Sequence, residues 1–168
     1  MNIQIREMTD SLFSSTVTMI TQLLNHHRQL NDAPAEYWQT DEQSKETLLD
    51  WQTQGIIYHI FAEQELVGFF YVRFGGKTVA WLEDLFVVEG YRHQGIGTIA
   101  LKELDELMIE KQIPTLLVDI VPRNEQALKL YRDCGFDHLN VIQLRKNYDS
   151  RLNKEDTVDV LGFSFKKY

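Results

Sequence analysis

The chain has 168 residues, which is long enough for one α/β domain with a sizeable core and too short for two. Its 17 basic and 25 acidic residues give a net charge of −8. That charge argues against nucleic acid or an anionic membrane as a partner and would attract a cationic acceptor, although solubility alone also accounts for it. No apolar run reaches the ~20 residues of a membrane span. The N-terminus lacks the apolar core of an export signal, and the single cysteine, Cys134, cannot form a disulfide within the chain. We therefore expect a cytoplasmic protein.

The first third of the chain is predicted to hold one strand and two helices. Isoleucines at alternate positions of residues 3–5 indicate an edge-like strand. The first helix has apolar residues at three- and four-residue spacings: Phe13, Val17, Ile20 and Leu24. Thr40 and Gln43 match a capping box, which predicts the start of a second helix over 42–53.

The remainder of the chain is predicted to alternate between strands and helices. Three apolar, aromatic-rich runs are predicted to form strands joined by short turns: 56–62, 66–74 and 78–88. The glycine-rich stretch 90–97 leads into a helix. A strand, a short helix and two further strands are predicted after it: 115–121, 124–134, 136–144 and 157–165. The order β-α-α-β-β-β-α-β-α-β-β predicts an α/β fold, a mixed sheet of about seven strands flanked by about four helices, in a single domain over 1–168.

Residues 92–97 read Arg-His-Gln-Gly-Ile-Gly and lie between a predicted strand and a predicted helix. Gly95 and Gly97 allow the backbone to approach a ligand closely, and the first turn of a helix presents unpaired N–H groups. These donors, the helix dipole and the charge of Arg92 favour an anion such as a pyrophosphate. The pattern is neither a Walker loop nor the dinucleotide fingerprint. Taken alone, it also fits a tight turn whose glycines serve packing.

A second informative run spans residues 124–136, Asn-Glu-Gln-Ala-Leu-Lys-Leu-Tyr-Arg-Asp-Cys-Gly-Phe. Tyr131 lies on an apolar helical face, so the pattern alone allows it to be a core aromatic. The run resembles the second motif of the GNAT acetyltransferases, N-x-x-A-x-x-x-Y-x-x-x-G-F, without departure. Residues 85–102 resemble the acetyl-CoA-binding motif of the same family, V-x-x-x-x-R/Q-x-x-G-x-G/A, at four positions: Val87, Arg92, Gly95 and Gly97. The two motifs occur in the family's order and at its usual separation.

The resemblance implies the GNAT fold and acetyl-CoA as cosubstrate. It places the pantetheine arm along the backbone of four strand residues: Leu85, Phe86, Val87 and Val88. It places the pyrophosphate on the turn that follows: Arg92, His93, Gln94, Gly95, Ile96, Gly97 and Thr98. Asn124 and Tyr131 are expected to contact the same cosubstrate. Residues 82–92 are especially similar to the polyamine (spermidine/spermine) acetyltransferases, which implies a small, cationic amine acceptor.

Two side chains are candidates for proton transfer during direct attack of the amine on acetyl-CoA. Glu83 lies in an otherwise apolar strand, where a carboxylate is costly without a task or a partner. The polyamine resemblance places a catalytic glutamate there, so Glu83 is the candidate base, although it can equally face solvent or form an ion pair. Tyr131 is the candidate acid towards the leaving thiolate. Strand alternation is expected to turn Asp84 to the opposite face, as second choice for the base or as an acceptor contact.

The acceptor site and the oligomeric state depend on segments without a motif. Tyr37 and Trp38 lie in the loop that forms the acceptor site in this family, where aromatic walls suit a cation, although they can also pack onto the core. The strand predicted over 157–165 exceeds what a minimal sheet needs, and we expect it to pair with a second subunit in a homodimer. An amine on a protein or peptide, an aminoglycoside-type acceptor and a non-catalytic acetyl-CoA sensor remain open as alternatives. No metal site is predicted.

Overall fold

The computed structural model describes all 168 residues and divides them into two compact units. Unit 1 comprises residues 1–25 and 39–119, and unit 2 comprises residues 26–38 and 120–168. The strands are β1 (Ile3–Glu7), β2 (Gly55–Ala62), β3 (Glu65–Gly75), β4 (Val79–Val87), β5 (Leu116–Val118), β6 (Thr157–Val160) and β7 (Phe163–Lys166). The α-helices are α1 (Phe13–Leu30), α2 (Asp41–Gln54), α3 (Ile96–Glu110) and α4 (Glu125–Asp133). A single domain over 1–168 stays a prediction.

The first five strands form one mixed sheet in the order β1-β2-β3-β4-β5. Neighbouring strands are antiparallel except β4 and β5, which run parallel. The parallel pairing is short, because it joins only residues 80–82 of β4 to residues 116–118 of β5. β4 continues to Val87, so beyond Leu82 its only strand partner is β3. The predicted fold class is confirmed, and one edge of β4 is left open where the two parallel strands end their pairing.

One buried cluster of unit 1 is built from α1, α2 and three strands of the sheet. Val17 and Ile20 are buried, as the periodicity of α1 predicts, and Phe13 and Leu24 pack against them. Full burial of such a side chain contributes roughly 1.5–3 kcal/mol. The buried cluster consists of Val17, Met19, Ile20, Leu23, Leu48, Ile57, Phe69, Tyr71 and Phe86.

The start of α2 is fixed by its capping box. The Thr40 hydroxyl accepts a hydrogen bond from the Gln43 N–H at 3.3 Å, and the Gln43 side-chain oxygen accepts one from the Thr40 N–H at 2.9 Å. Two otherwise unpaired donors are therefore satisfied by side chains, which confirms the predicted box. Leu48 is fully buried and Trp51 packs against the core, so the cap and the apolar contacts together fix which face of α2 meets the sheet.

The two strands predicted at the end of the chain are wrong in detail. Residues 136–144 form no strand, and residues 157–165 are not one strand but parts of β6 and β7, which pair with each other as an antiparallel hairpin. The turn between them has positive φ angles at both central residues, 52° at Leu161 and 86° at Gly162. Such a turn twists in the sense that a tight hairpin requires. Leu-Gly lacks the Asn or Asp that usually marks such a turn, so the sequence analysis predicted one continuous strand across it. The main sheet therefore has five strands, and the other two form a separate pair.

Neither a membrane span nor a metal centre is visible in the elements described. None of the α-helices combines the length and the apolar content that crossing a membrane requires. No group of three or more histidine, cysteine, aspartate or glutamate side chains is placed to hold a metal ion.

Candidate active site

A β-bulge lies in β4 where its pairing with β5 ends. Tyr71 of β3 is opposite Asp84, and Val72 is opposite Leu82, so Glu83 has no partner residue on β3. Two residues of one strand then face a single residue of its neighbour, and the alternation of side chains is interrupted. Glu83 and Asp84 consequently line the same pocket, and the expectation that they point to opposite faces is wrong.

The pocket has a volume of about 370 Å³ and lies within unit 1. Its wall is shared by the last turns of α2, by β3 and by the bulge of β4, through Asp50, Trp51, Gln54, Tyr71, Arg73, Glu83 and Asp84. The rings of Trp51 and Tyr71 stack, with centroids 4.6 Å apart and planes 10° from parallel. Three carboxyl groups face one guanidinium, so the pocket is acidic with a flat aromatic wall.

Five of the lining residues were missed by the sequence reasoning: Asp50, Trp51, Gln54, Tyr71 and Arg73. A partial signal was available, because Tyr71 and Arg73 are two residues apart on a strand and so share a face. Asp50 and Gln54 likewise lie one helical turn apart on α2. The spacing does not reveal which helix face meets which strand, because that depends on the packing of α2 against the sheet.

Glu83 forms an ion pair with Arg73. Its Oε1 accepts from the Arg73 Nε at 2.7 Å and lies 2.6 Å from Nη2. The guanidinium also lies over the Trp81 ring, 4.9 Å from its centroid. The ion pair that the sequence left open as an alternative for Glu83 is therefore formed, and it orients the carboxylate within the pocket.

The Asp84 carboxyl group is strongly perturbed by its surroundings. Burial, and secondly the neighbouring negative charge of Glu83, raise the pKa of Asp84 to about 7. Both causes act in the same direction because desolvation and a like charge each disfavour the carboxylate. Near neutral pH the group is divided between its two protonation states, which is the condition under which a carboxylate accepts a proton most usefully.

The turn before α3 has the geometry of an anion site. Gly95 caps the helix with a φ of 80°, a conformation that favours glycine. The backbone N–H groups of residues 93–98 donate to no backbone carbonyl, and helical bonding begins only with Ile99, which donates to Gly95 at 3.1 Å. Arg92 is held beside the turn, because its Nε donates to the Val87 carbonyl at 2.8 Å. Successive free donors, a helix N-terminus and one cation together fit a pyrophosphate.

The strand before this turn offers a backbone edge of the kind an extended ligand can use. Leu85, Phe86 and Val87 pair with β3 on one side and have no strand partner on the other. An unpaired edge exposes N–H and C=O groups that can pair with an extended chain. The edge leads directly into Arg92 and the anion turn, as the strand-like arrangement of a pantetheine arm requires.

In unit 2, the second motif explains the ends of α4. The Asn124 side chain caps the helix by accepting from the Ala127 N–H at 3.1 Å. At the other end, Gly135 has a φ of 98° and donates to Arg132, and Phe136 donates to Tyr131 at 3.1 Å. These two hydrogen bonds form a Schellman motif. The Phe136 ring packs edge-on against the Tyr131 ring, with centroids 5.5 Å apart. Tyr131 is buried.

Tyr37 and Trp38 also lie in unit 2, at the end of a short 3₁₀ turn over residues 35–37. Each is 45% exposed. The Trp38 Nε1 donates to the Ala33 carbonyl at 3.3 Å, and the Arg28 Nε donates to the Tyr37 carbonyl at 3.1 Å. Their part in binding an acceptor stays a prediction.

Residues 20–136 match the model of the acetyltransferase (GNAT) family. The chain therefore belongs to that family, a family of N-acetyltransferases whose cosubstrate is acetyl-CoA, and the resemblance of the two motifs is confirmed. Over 71 residues it is 34% identical to a thialysine N-epsilon-acetyltransferase of Mus musculus. That segment is 42% of this chain and 41% of the mouse protein, so the chain spans about two fifths of that relative's length.

Two solved structures share the fold. The PaiA N-acetyltransferase of Thermoplasma acidophilum, solved with coenzyme A, has a TM-score of 0.72 at 22% identity, covering 84% of this chain and 94% of that one. A GNAT acetyltransferase of Elizabethkingia anophelis with acetyl-CoA bound has a TM-score of 0.61 at 21% identity, covering 98% of this chain and 93% of that one. The residues of the anion turn and the open edge of β4 fit the cosubstrate of this family.

Proposed function

We propose that this chain is an acetyl-CoA-dependent N-acetyltransferase acting on a primary amine of a small, cationic, polyamine-like acceptor. The observation that carries the proposal is the pocket at the bulge of β4, where three carboxyl groups and two stacked rings face one guanidinium. Family membership supports the reaction class. The name of the mouse relative specifies an amine nitrogen as acceptor, which agrees with the pocket.

The pocket suits an alkylammonium group for two reasons. Carboxylates attract the cation, and the partly exposed ring of Trp51, which stacks on the buried ring of Tyr71, adds an aromatic surface of the kind that binds ammonium ions. Arg73 pairs with Glu83 and leaves Asp50 and Asp84 without a cation among the pocket residues. An acceptor with one or more ammonium groups would neutralise them. A neutral or anionic acceptor would leave these charges uncompensated.

A base in the pocket answers the main difficulty of the reaction. An alkylamine with a pKa of ~10.4 is neutral in only about one molecule in a thousand near pH 7.4, which costs about 4 kcal/mol. Glu83 and Asp84 are the two candidate bases. We favour Asp84 for the proton transfer, because its raised pKa of about 7 suits a group that accepts a proton near neutral pH. The Glu83 carboxylate, oriented by Arg73, would position the ammonium group.

The remaining roles belong to the binding of the cosubstrate and to the leaving group. When bound, acetyl-CoA supplies the thioester carbonyl that the amine attacks. Arg92 and the N–H groups of residues 93–98 are proposed to hold its pyrophosphate, and the edge of residues 85–88 to align its arm. Asn124 is proposed to act near the same arm. The Tyr131 hydroxyl is proposed to donate a proton to the departing sulfur, a transfer uphill by only about 2 kcal/mol between groups with ordinary pKa values of ~10 and ~8.5.

The test is CoA release from acetyl-CoA against spermidine, diamines, aminoglycosides, amino acids and short peptides. We expect turnover on polyamines or diamines, with large losses in Glu83→Gln, Asp84→Asn and Tyr131→Phe while acetyl-CoA binding persists. Tyr148→Phe is the matched control for the tyrosine, because Tyr148 is 90% exposed. Turnover confined to peptides or aminoglycosides would replace the proposed acceptor, and acetyl-CoA binding with no turnover on any amine would indicate a sensor.

A further inference from the structure

The ring of Tyr71 is held in a fixed position, although the residue lines the pocket at the bulge of β4. Only 2% of the residue is exposed. The ring stacks on Trp51 in the last turn of α2, and it also lies against Gly55 at the start of β2. A Cβ atom added to Gly55 would come within 2.7 Å of the Tyr71 Cε2 atom, which is closer than side chains approach one another. The absence of a side chain at Gly55 therefore makes room for the tyrosine ring.

The hydroxyl of Tyr71, unlike its ring, has no partner within the chain. It forms no hydrogen bond with a side chain or with the backbone. The only side-chain polar atoms that are both fully buried and unpartnered belong to Asn31 and Arg123, so the Tyr71 oxygen reaches the open space of the pocket. Enclosed tyrosine hydroxyls normally have a hydrogen-bond partner. This one is therefore available to a molecule bound in the pocket.

The charged groups of the pocket surround this hydroxyl. Burial is the largest of the causes that raise the pKa of Tyr71, and the negative charge of Glu83 is the next. Asp50 and Asp84 act in the same direction, and the positive charge of Arg73 opposes them. Since the phenol pKa is already far above neutrality in water, the side chain remains a neutral hydroxyl in the pH range in which the enzyme works.

A second acceptor atom beside it is also unoccupied. Both contacts of Arg73 with Glu83, at 2.7 Å and 2.6 Å, are made to the same carboxylate oxygen, Oε1. The other oxygen of Glu83, Oε2, forms no hydrogen bond or ion pair within the chain. The pocket thus offers two unpaired acceptors of different kinds, one charged and one neutral, for the N–H groups of an amine.

A carboxylate and a hydroxyl differ in how they hold an amine that has to lose a proton. A carboxylate binds the ammonium form more strongly than the neutral amine, so it raises the pKa of the amine and opposes deprotonation. A neutral hydroxyl oxygen accepts an N–H from either form, because a deprotonated primary amine still has two N–H groups. Its contact therefore persists through the loss of the proton, at the stage where the nitrogen must be positioned for attack.

We propose that the Tyr71 hydroxyl binds the acceptor nitrogen directly, accepting one N–H hydrogen bond while Glu83 Oε2 accepts a second. The role rests on the proposed function. The N–H bond that breaks gives its proton to the Asp84 carboxylate and leaves its electron pair on the nitrogen, which then attacks the thioester carbon. Tyr71 keeps its own proton throughout, so it positions the nucleophile and is not the base.

The first test is Tyr71→Phe, which keeps the ring in its slot and removes only the oxygen. Steady-state kinetics on the best primary amine should show kcat/KM lower by about 10–100-fold, as expected when a hydrogen bond to a charged or reacting group is lost. The Kd for acetyl-CoA, measured by calorimetry, should stay within about twofold. Tyr58→Phe is the matched control, because the Tyr58 ring stacks on Phe70 but does not line the pocket, and its kcat/KM should also stay within about twofold.

The second test varies the number of N–H groups on the acceptor, to which a purely structural role of Tyr71 would be insensitive. The best primary amine is compared with its N-methyl derivative, which has one N–H fewer. Removing the donor and removing the acceptor abolish the same contact, so the two losses should not add. The preference of the wild type for the primary amine should fall about fivefold or more in Tyr71→Phe and should persist in Tyr58→Phe.

The outcomes separate this role from the proposed function. If Tyr71→Phe keeps kcat/KM within about twofold of the wild type, or keeps the full preference for the primary amine, the hydroxyl does not bind the acceptor nitrogen, and acetyl transfer itself still stands. A wild-type chain that binds acetyl-CoA but releases no CoA with any amine overturns the proposed function and the role of Tyr71 together.

Discussion

Two ionisable side chains of the main sheet are shielded from water, His59 and Asp84, and they differ in the partners that surround them. His59 of β2 is 1% exposed, and its Nε2 lies 2.8 Å from the Thr16 hydroxyl. That hydroxyl donates its hydrogen to the Leu12 carbonyl, so it accepts from the ring, and His59 is the neutral Nε2–H tautomer. Asp84 of β4 is also partly buried, but its close charged neighbour is the like charge of Glu83.

The difference separates a polar group of the core from a polar group available for chemistry. Burial lowers the pKa of His59 to about 4, and the hydroxyl satisfies the neutral ring. Burial raises the pKa of Asp84 to about 7, where the group changes charge under physiological conditions. Perturbed groups of the second kind, in an accessible pocket, are typical of functional sites. The following predictions test whether this contrast holds.

The largest expected effect is on turnover. Asp84→Asn removes the proposed proton acceptor and should lower kcat/KM by 10²–10⁴-fold, the usual contribution of a general base. His59→Gln, which keeps a donor near the position of Nε2, should change kcat/KM by less than about threefold, since His59 does not line the pocket and its hydrogen bond goes to Thr16. Steady-state kinetics on the best amine at pH 7.5 measures both. Equal losses in the two variants would remove the distinction between core group and catalytic group.

The next effect is on stability: the same substitution that lowers turnover, Asp84→Asn, should make the fold more stable. Because the folded-state pKa of Asp84 is raised from 3.8 to about 7, the fold favours the neutral acid. Its contribution is therefore full below pH 3.8 and is lost as the pH rises to about 7. At pH 8, Asp84→Asn should raise the free energy of unfolding by about 2–4 kcal/mol, with little change near pH 4. Urea unfolding at the two pH values measures the difference, and a variant less stable than wild type at pH 8 would contradict the burial cost.

Local signals could be read from the sequence, whereas contacts between distant elements could not. The capping box at Thr40 and the glycine turn at Gly95 depend on a few neighbouring residues, and both are found where the pattern places them. The bulge at Glu83 depends on the register between β3 and β4, which strand alternation alone cannot supply. The contact of Thr16 with His59 joins residues 43 positions apart, and nothing in either segment marks it.

The two motifs show a related limit. Asn124 and Gly135 were assigned to a functional motif, and the structure gives both a local role at the ends of α4. The pocket residues Asp50 and Arg73 carried no motif, because their convergence depends on how α2 packs on the sheet. A family pattern thus marks residues that the members of the family share, whereas the pocket at the bulge of β4, proposed here as the acceptor site, has to be read from the fold.

His59 gives the third effect, a loss of stability in acid. Its pKa falls from 6.5 in the unfolded chain to about 4 in the folded one, so the fold favours the neutral ring. Its contribution is full above pH 6.5 and is lost as the pH falls towards 4, by about 3 kcal/mol. The loss should be clearest in the Asp84→Asn variant. In the wild type, the contribution of Asp84 to the free energy of unfolding increases as the pH falls over the same range and offsets the loss from His59. His59→Gln in that background should flatten the pH profile of the urea midpoint, and an unchanged slope would assign the acid loss to other groups.

The smallest effect tests the contact that distinguishes His59 from Asp84. Thr16→Val preserves the shape of the side chain but removes the acceptor of the His59 N–H, and a buried donor without a partner costs about 1–2 kcal/mol. Thr18→Val is the matched control, because the Thr18 hydroxyl lies on the exposed side of α1 and donates only to the Ser14 carbonyl at 3.3 Å. Thermal and urea unfolding of the two variants should differ by that amount at pH 7.5, with turnover unchanged in both. If they are equally stable, burial alone keeps His59 neutral, and the contrast with Asp84 then rests on their surroundings rather than on a hydrogen-bond partner.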